Sequence, residues 1–366
     1  MWKGGVLNRN CRIIELFSCQ SIGMQKHFHP INQLLAQAPS LFGFNPEDSV
    51  IVFFGRRNSD QRFELGPTIR INIPCSATNG LFRLSLDQAL NKLASTRCRH
   101  LYVAIIRKGW HHPSRYRIIE HIEHICTVVA EARNYAIEDV VVLDEFVSNG
   151  EWISVISGNS GFIDDIESSP RALERYWDGV DIGKDRATTR RQLMKHIDDD
   201  DAAAAWKRQP SVERYSLYDE NYLQHCLKTA ASAAYDSSEA QYMRSYFLQN
   251  IDSHQGYDGL VSLLITADAR AWANWMWTLV PTYDRHDKAI MLFVLAVWQY
   301  MRGDGFRCEV LLDKAERYGT NIVGLAAVKD LLSLCVEPTE IINVVKGIAD
   351  RLEQSAMPLL STCGVS

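Results

Sequence analysis

The chain has 366 residues, of which 46% are hydrophobic and 23% charged, and its formal net charge at pH 7 is -5. This length suits two domains of roughly 100 to 200 residues each, and the composition is typical of a soluble protein. No polybasic segment supports binding to nucleic acid, and no apolar run reaches the roughly 20 residues of a membrane-spanning helix. We therefore expect neither a nucleic-acid partner nor a membrane.

The cysteines and the first residues bear on compartment. Nine cysteines are spread from Cys11 to Cys363 without a Cys-x-x-Cys pair, which favours reduced thiols in a cytoplasmic protein over disulfides or a zinc site. Residues 1–27 are poorly patterned, and their charged side chains interrupt the apolar core that a signal peptide needs. We interpret them as an N-terminal extension, with either Met1 or Met24 as the start.

An α/β domain is predicted over residues 28–165. Residues 50–54, 101–106 and 140–143 are continuously apolar, which indicates strands covered on both faces. Residues 68–73 alternate between apolar and polar side chains, which indicates a strand at or near an edge. Helical patterns cover residues 31–38, 84–94 and 114–132.

This order of elements favours a mixed, mostly parallel sheet with helices on both faces. The turn Asn149-Gly150 should join residues 145–147 to residues 152–156 as an antiparallel hairpin. Residues 158–170 are polar and are the best candidate for a linker. The fold class is therefore α/β, followed by an all-α part.

A helical domain is predicted over residues 166–350, followed by a C-terminal tail at residues 351–366. Its helical patterns cover residues 171–186, 190–208, 218–234, 239–250, 256–267, 289–302 and 306–318. The pattern over residues 289–302 is apolar nearly all round, which is typical of an inner helix. Gly303, Asp304 and Gly305 form the corner after it, since helices commonly end at a left-handed glycine. Small residues along both flanking helices predict a tetratricopeptide-like hairpin.

The best candidate for a ligand site is the loop after the strand at residues 101–106, because ligands of open α/β sheets bind beyond the carboxyl ends of strands. Arg107 and Lys108 lead to Ser114 at the start of a helix, where free N–H groups favour an anion. Asp144 and Glu145 follow the next strand and are available as an acid or base. Two interpretations stay open: a phosphate or nucleotide site, and an ordinary basic surface loop, since no glycine-rich cradle is present.

No metal site is predicted, and any cofactor is unknown. His121 and His124 are three residues apart and do not match the His-Glu-x-x-His pair of helical zinc sites. The acidic residues 198–201 would point in different directions on a helix, which favours a solvated turn or helix face.

Residues 34–55, residues 66–74, the turn Gly150-Glu151-Trp152 and residues 298–315 resemble the actinobacterial domain of unknown function 4192. The resemblance covers residues 28–345. It implies a cytoplasmic protein of an actinobacterial chromosome, plasmid or phage, with no established activity. Asn72 departs from the acidic residue expected there, and residues 157–161 replace a stretch rich in cysteine and proline. The resemblance therefore carries no metal or thiol chemistry to this chain.

We expect a non-enzymatic module whose helical domain binds a protein partner, since no nucleophile elbow or other catalytic motif occurs. The alternative is a small-molecule or nucleotide/phosphate-binding enzyme that uses the loop at Arg107. The two hypotheses differ in the domain that carries the function, and the oligomeric state stays open.

Overall fold

The structure is a computed structural model of the chain. It describes residues 14–17, 31–60, 63–73, 79–95, 97–177, 182–207, 220–230, 232, 237–251, 254–318, 322, 324–333 and 338–354. Met24 and residues 355–366 lie outside this set. The chain divides into two compact units, unit 1 over Met1–Thr189 and unit 2 over Arg190–Ser366. In the part of the chain that is described, no helix has the length and apolar character needed to cross a membrane.

Unit 1 is built on one mixed sheet. Its described strands are β1 (Ile14–Phe17), β2 (Ser49–Arg57), β3 (Phe63–Asn72), β4 (His100–Ile106), β5 (Ala136–Leu143), β6 (Glu151–Ser154) and β7 (Ser160–Phe162). They lie in the order β1-β3-β2-β4-β5-β6-β7. Strands β4 and β5 are parallel, whereas the other five neighbouring pairs are antiparallel. The prediction of a mixed sheet is confirmed, and the prediction that it is mostly parallel is wrong.

Helices cover both faces of this sheet. The described helices that lie wholly within unit 1 are α1 (Ile31–Phe42), α2 (Asn79–Lys92), α3 (Pro113–Ala132) and α4 (Pro170–Trp177). On one face Phe54 contacts the ring of Tyr135, whose hydroxyl donates to the carbonyl of Leu90 in α2. On the opposite face the guanidinium of Arg70 lies over the ring of Phe44, just after α1. Each face is therefore shielded by a different set of helices.

The direction of the strands was mispredicted because burial on both faces does not fix it. Strands β2 and β3 form an antiparallel hairpin, after which α2 carries the chain to the other side of β2, where β4 runs antiparallel to β2. The second hairpin also differs from the prediction. Strand β6 pairs with the end of β5, so that Val141 faces Ser154, and residues 145–147 form a loop.

The described residues of unit 2 are mostly helical, which confirms the predicted order of an α/β part followed by an all-α part. Helix α5 (Arg186–Ile197) leads to α6 (Asp200–Lys207), α7 (Glu220–Thr229), α8 (Ser238–Ile251), α9 (His254–Ser262), α10 (Ala269–Leu279), α11 (Arg285–Met301), α12 (Gly305–Arg317), α13 (Leu325–Ser333) and α14 (Pro338–Gln354). Every residue from 289 to 297 is buried. Helix α11 is therefore the inner helix around which unit 2 packs.

The chain turns sharply between α11 and α12. The N–H of Gly303 donates to the carbonyl of Tyr300 and the N–H of Asp304 to that of Gln299, both at 2.8 Å. These bonds form a Schellman cap, in which Gly303 adopts a φ of 75°. The Asp304 side chain then accepts the N–H of Arg307 at 3.0 Å and caps α12. Gly303 thus ends α11, and Asp304 begins α12.

Gly303→Ala should lower the free energy of unfolding of unit 2 by about 1 kcal/mol, because a side chain at positive φ is strained. Urea denaturation followed by circular dichroism measures the loss. The matched control is Gly347→Ala in α14, where an added Cβ would meet no atom within 4 Å and alanine should stabilise the helix by up to about 1 kcal/mol. A Gly303 variant as stable as the control would contradict the left-handed corner.

Polar contacts hold the end of α5 inside unit 2. The Nε2 atom of His196 lies 2.9 Å from the carbonyl oxygen of Trp277, and the two rings are stacked with centroids 4.3 Å apart. Asp198, the first residue of the acidic run, accepts hydrogen bonds from Lys314 Nζ at 2.6 Å and from the Tyr318 hydroxyl at 2.8 Å. The first carboxylate of that run therefore binds side chains of the neighbouring helices.

Unit 2 should lose stability in mild acid through His196. Burial lowers the pKa of this imidazole, although the Trp277 carbonyl acts in the opposite direction. Below the ordinary histidine pKa of about 6.5, the unfolded chain therefore binds more protons than the folded chain. The stability that neutral His196 contributes is complete above that pH and is lost as the pH falls. In urea titrations at about pH 7.5 and about pH 5.5, the wild type should lose more stability than His196→Gln, which does not titrate. Equal losses of stability in the two proteins would contradict the role of His196.

Candidate functional site

The loop predicted as a ligand site lies where the parallel strands β4 and β5 end side by side. A guanidinium nitrogen of Arg107 lies 3.1 Å from a carboxylate oxygen of Asp48. The Asp144 carboxylate accepts the N–H of Gly109 at 2.7 Å. The fold therefore brings Arg107 and Asp144 to one edge of the sheet, and each is already bonded within the chain.

The start of α3 also uses backbone donors internally. The N–H groups of Arg115 and Tyr116 both donate to the carbonyl of His112, at 2.8 and 3.1 Å. An anion at a helix start binds through free N–H groups of this kind. These bonds leave fewer donors for a phosphate, and the anion hypothesis for this loop stays a prediction.

The other residues predicted for this site lie on the surface or at the start of α3. Lys108 and Glu145 are exposed, and Ser114 lies in the first turn of α3, with its side chain outside the described set. His121 and His124 are exposed on α3. Across the described ranges, no group of three or more histidine, cysteine, aspartate or glutamate side chains could hold a metal ion.

A second polar group lies at the opposite end of the sheet, where β2 ends and β4 and β5 begin. Glu138 Oε1 lies 2.6 Å from His100 Nδ1. Arg57 donates from Nε to the same oxygen at 3.1 Å and from Nη2 to the other carboxylate oxygen. Tyr102 and Asp139 lie on the same face of the sheet. We call Arg57, His100, Tyr102, Glu138 and Asp139 the polar cluster.

A β-bulge in β5 creates this arrangement. The register of β5 against β4 shifts so that Tyr102 pairs with Asp139 and Glu138 has no partner strand residue. Paired residues share a face, as do alternate residues of one strand, which places Asp139, Tyr102 and His100 on one face. Glu138 reaches the same face because it contacts His100. The bulge therefore presents two consecutive carboxylates together, and such bulges often redirect side chains beside active sites.

The charge states within the polar cluster follow from these contacts. Burial raises the pKa of Glu138, but hydrogen bonds from Arg57 and His100 outweigh burial and hold that pKa below its ordinary value. Burial, reinforced by the Glu138 charge, raises the pKa of Tyr102. At neutral pH the cluster therefore contains an ionised carboxylate and a protonated phenol, which is a hydrogen-bond donor.

The polar cluster is accessible and supported by neighbours. The side chain of His100 is 28% exposed and that of Arg57 is 34% exposed, so a small molecule can reach both. The ring of Phe63 packs edge-on against Tyr102 with centroids 4.9 Å apart. The Ser154 hydroxyl donates to Asp139 at 2.6 Å. These contacts hold the side chains of Tyr102 and Asp139 in place.

Sequence patterns did not reveal this cluster, because its residues come from three strands separated along the chain. One signal was available. Tyr102 is the polar side chain within the apolar run 101–106, and Glu138 and Asp139 directly precede the run 140–143. Polar residues inside or beside a strand that is buried on both faces require either partners or a ligand.

A family model described as "Domain of unknown function (DUF4192)" matches residues 32–318. No curated protein and no solved structure matches the chain. The matched residues include the polar cluster, the loop after β4 and the corner after α11.

Proposed function

Because the chain belongs to the family of the domain of unknown function (DUF4192), whose description assigns no activity, we propose a function from the geometry of unit 1: it binds a small polar molecule at the polar cluster. The observation that carries this proposal is the bulge that gathers Glu138 and Asp139 beside His100. A cytoplasmic location, which the cysteine content predicts, is part of the same proposal.

The polar cluster supports ligand binding better than the predicted loop does. It presents the Tyr102 hydroxyl and the partly exposed His100 imidazole, while Arg57 and Glu138, which bind each other, hold the imidazole in place. Ligand sites typically combine a few converging polar groups with apolar walls, and here the ring of Phe63 supplies an apolar neighbour. In the loop, the backbone N–H groups that an anion would need at the start of α3 are engaged within the chain.

The test is a binding screen on the full chain with nucleotides, inorganic phosphate and small carboxylic acids and esters, read by thermal shift. A ligand present at about a hundredfold its Kd should stabilise the native state by roughly 2–3 kcal/mol. The shift should disappear in His100→Ala and persist in His121→Ala, whose side chain is exposed on α3. A panel without any shift would contradict the proposal. A shift that needs Arg107 and not His100 would assign the site to the loop.

We also propose that unit 2 binds a protein partner through a tetratricopeptide-like hairpin formed by α11 and α12. The supporting observation is that Ala296, Cys308 and Ala315 are all completely buried, since such units use small residues where their helices meet. Affinity capture with the full chain should return a reproducible partner. That partner should be lost with Trp298→Ala, which removes a half-buried ring that lies under the Arg302 guanidinium. Capture unaffected by this change, or no partner at all, would count against the role.

A further inference from the structure

The contact between His100 and Glu138 determines which ring nitrogen carries the proton. Nδ1 lies 2.6 Å from the carboxylate oxygen, and an ionised carboxylate only accepts hydrogen bonds. Nδ1 must therefore carry the hydrogen. In the neutral ring, Nε2 then keeps its lone pair, as in other sites where a carboxylate orients a histidine.

Arg57 holds the carboxylate in this role. Its two donors bind both oxygens of Glu138, so the carboxylate cannot rotate away from His100 without breaking a two-point ion pair. The charged or titratable side chains around the imidazole are Arg57 from β2, Tyr102 from β4, and Glu138 and Asp139 from β5. An imidazolium formed at His100 would be stabilised by the adjacent Glu138 charge.

We propose that His100 is a general base that activates water for hydrolysis of a small polar ester, with Glu138 as a positioning residue. This inference rests on the proposed binding function, since the ester would occupy the polar cluster. Water is the nucleophile because Ser154, the serine bonded to the cluster, is buried and donates its hydroxyl to Asp139. The Tyr102 hydroxyl is the neighbouring donor for the ester oxygen.

Hydrolysis begins at His100. The Nε2 lone pair takes a proton from water as the O–H bond breaks, and the electron pair left on oxygen forms a bond to the ester carbonyl carbon. The π pair of the C=O bond moves to the carbonyl oxygen at the same time, which gives a tetrahedral adduct. When the adduct collapses, this pair re-forms the C=O bond and the bond to the alcohol oxygen breaks. The imidazolium then returns its proton to the leaving alcohol, which leaves His100 neutral, and the products are a carboxylic acid and an alcohol.

The experiment uses p-nitrophenyl acetate with the full chain. His100→Ala should lose about 100-fold in kcat/KM, within the usual range for a general base. Glu138→Gln should lower kcat by about tenfold with KM unchanged, because it removes the charge that stabilises the imidazolium, and Glu138→Asp should recover part of the loss. His121→Ala, on the exposed face of α3, should match the wild type.

A wild-type rate equal to that of His100→Ala would overturn the inference. If circular dichroism shows that His100→Ala is misfolded, diethyl pyrocarbonate replaces it. Modification of the wild type, mapped to His100 by mass spectrometry, should then abolish hydrolysis in proportion, and undiminished activity would overturn the inference. If the thermal shift with a ligand depends on His100 but hydrolysis does not, the role of His100 as a general base is refuted and the proposed binding function stands. A wild-type protein that shows neither a thermal shift with any ligand nor hydrolysis would refute both.

Discussion

Replacing Trp275 with alanine should lower the free energy of unfolding of unit 2 by about 3–5 kcal/mol. The indole lies in α10 and is completely buried in the core that surrounds α11. Its Nε1 donates to the carbonyl oxygen of Cys226 at 2.6 Å. Alanine would remove both the packing and this hydrogen bond, and it would leave a cavity that the neighbouring helices cannot fill without moving.

Urea denaturation followed by circular dichroism measures this loss. Trp275→Phe should lose less, because a ring still fills most of the volume and only the hydrogen bond and part of the contact area disappear. Val344→Ala is the control, since Val344 is 57% exposed on α14 and should change stability by no more than about 0.5 kcal/mol. Equal effects for Trp275 and Val344 would contradict the described core.

Gly55→Ala should lower the free energy of unfolding of unit 1 by about 1–3 kcal/mol, the usual result of overpacking a well-filled core. A Cβ on Gly55 would overlap the ring of Phe63 and would lie 2.7 Å from the carbonyl oxygen of Glu64. Both obstacles belong to β3, so the chain could relieve the overlap only by separating β2 from β3. Gly55 also pairs with His100, and the substitution should therefore disturb the polar cluster.

The matched change is Gly80→Ala at the start of α2, where an added Cβ meets nothing within 4 Å. It should be neutral or stabilise by up to about 1 kcal/mol. Thermal unfolding of the two variants side by side gives the comparison. If Gly55→Ala is as stable as Gly80→Ala, the ring of Phe63 does not cover Gly55. The described pairing of β2 with β3 would then be wrong.

The sequence predicts those elements whose own residues show a clear hydrophobic pattern. The apolar runs at residues 50–54, 101–106 and 140–143 lie within β2, β4 and β5, because only a covered strand tolerates apolar side chains at every position. The inner position of α11 follows in the same way from its uniformly apolar surface. These patterns show that an element is buried but not what lies next to it.

Strand direction depends on connections that local patterns do not encode. The prediction omits the start of β3 because Gly66 and Pro67, which are typical of turns, separate residues 63–65 from the alternating residues 68–73. Without residues 63–65, the hairpin with β2 is not visible. The short strand β7 lies within residues predicted as a linker, since Ser160, Gly161 and Phe162 carry little strand signal. Its pairing with β6 comes from tertiary contacts.

The polar cluster was least predictable. Arg57, His100 and Glu138 come together only after three strands have paired in order, and the bulge that turns Glu138 toward His100 is a one-residue shift in register. Because a shift of one residue exchanges the faces of a strand, sequence alternation alone would place Glu138 and Asp139 on opposite sides of the sheet. The strand-end loop was easier to find, since its charged residues are consecutive.

The claim that Glu138 orients His100 is tested most directly by the protonation state of that imidazole. Long-range nitrogen–proton NMR spectra of histidine-labelled protein, with the His100 signals assigned by their loss in His100→Gln, report which ring nitrogen carries the hydrogen. We predict that neutral His100 is protonated at Nδ1 with a bare Nε2, and that Glu138→Ala abolishes this preference. A wild-type ring protonated at Nε2 would contradict the arrangement on which the proposed site depends.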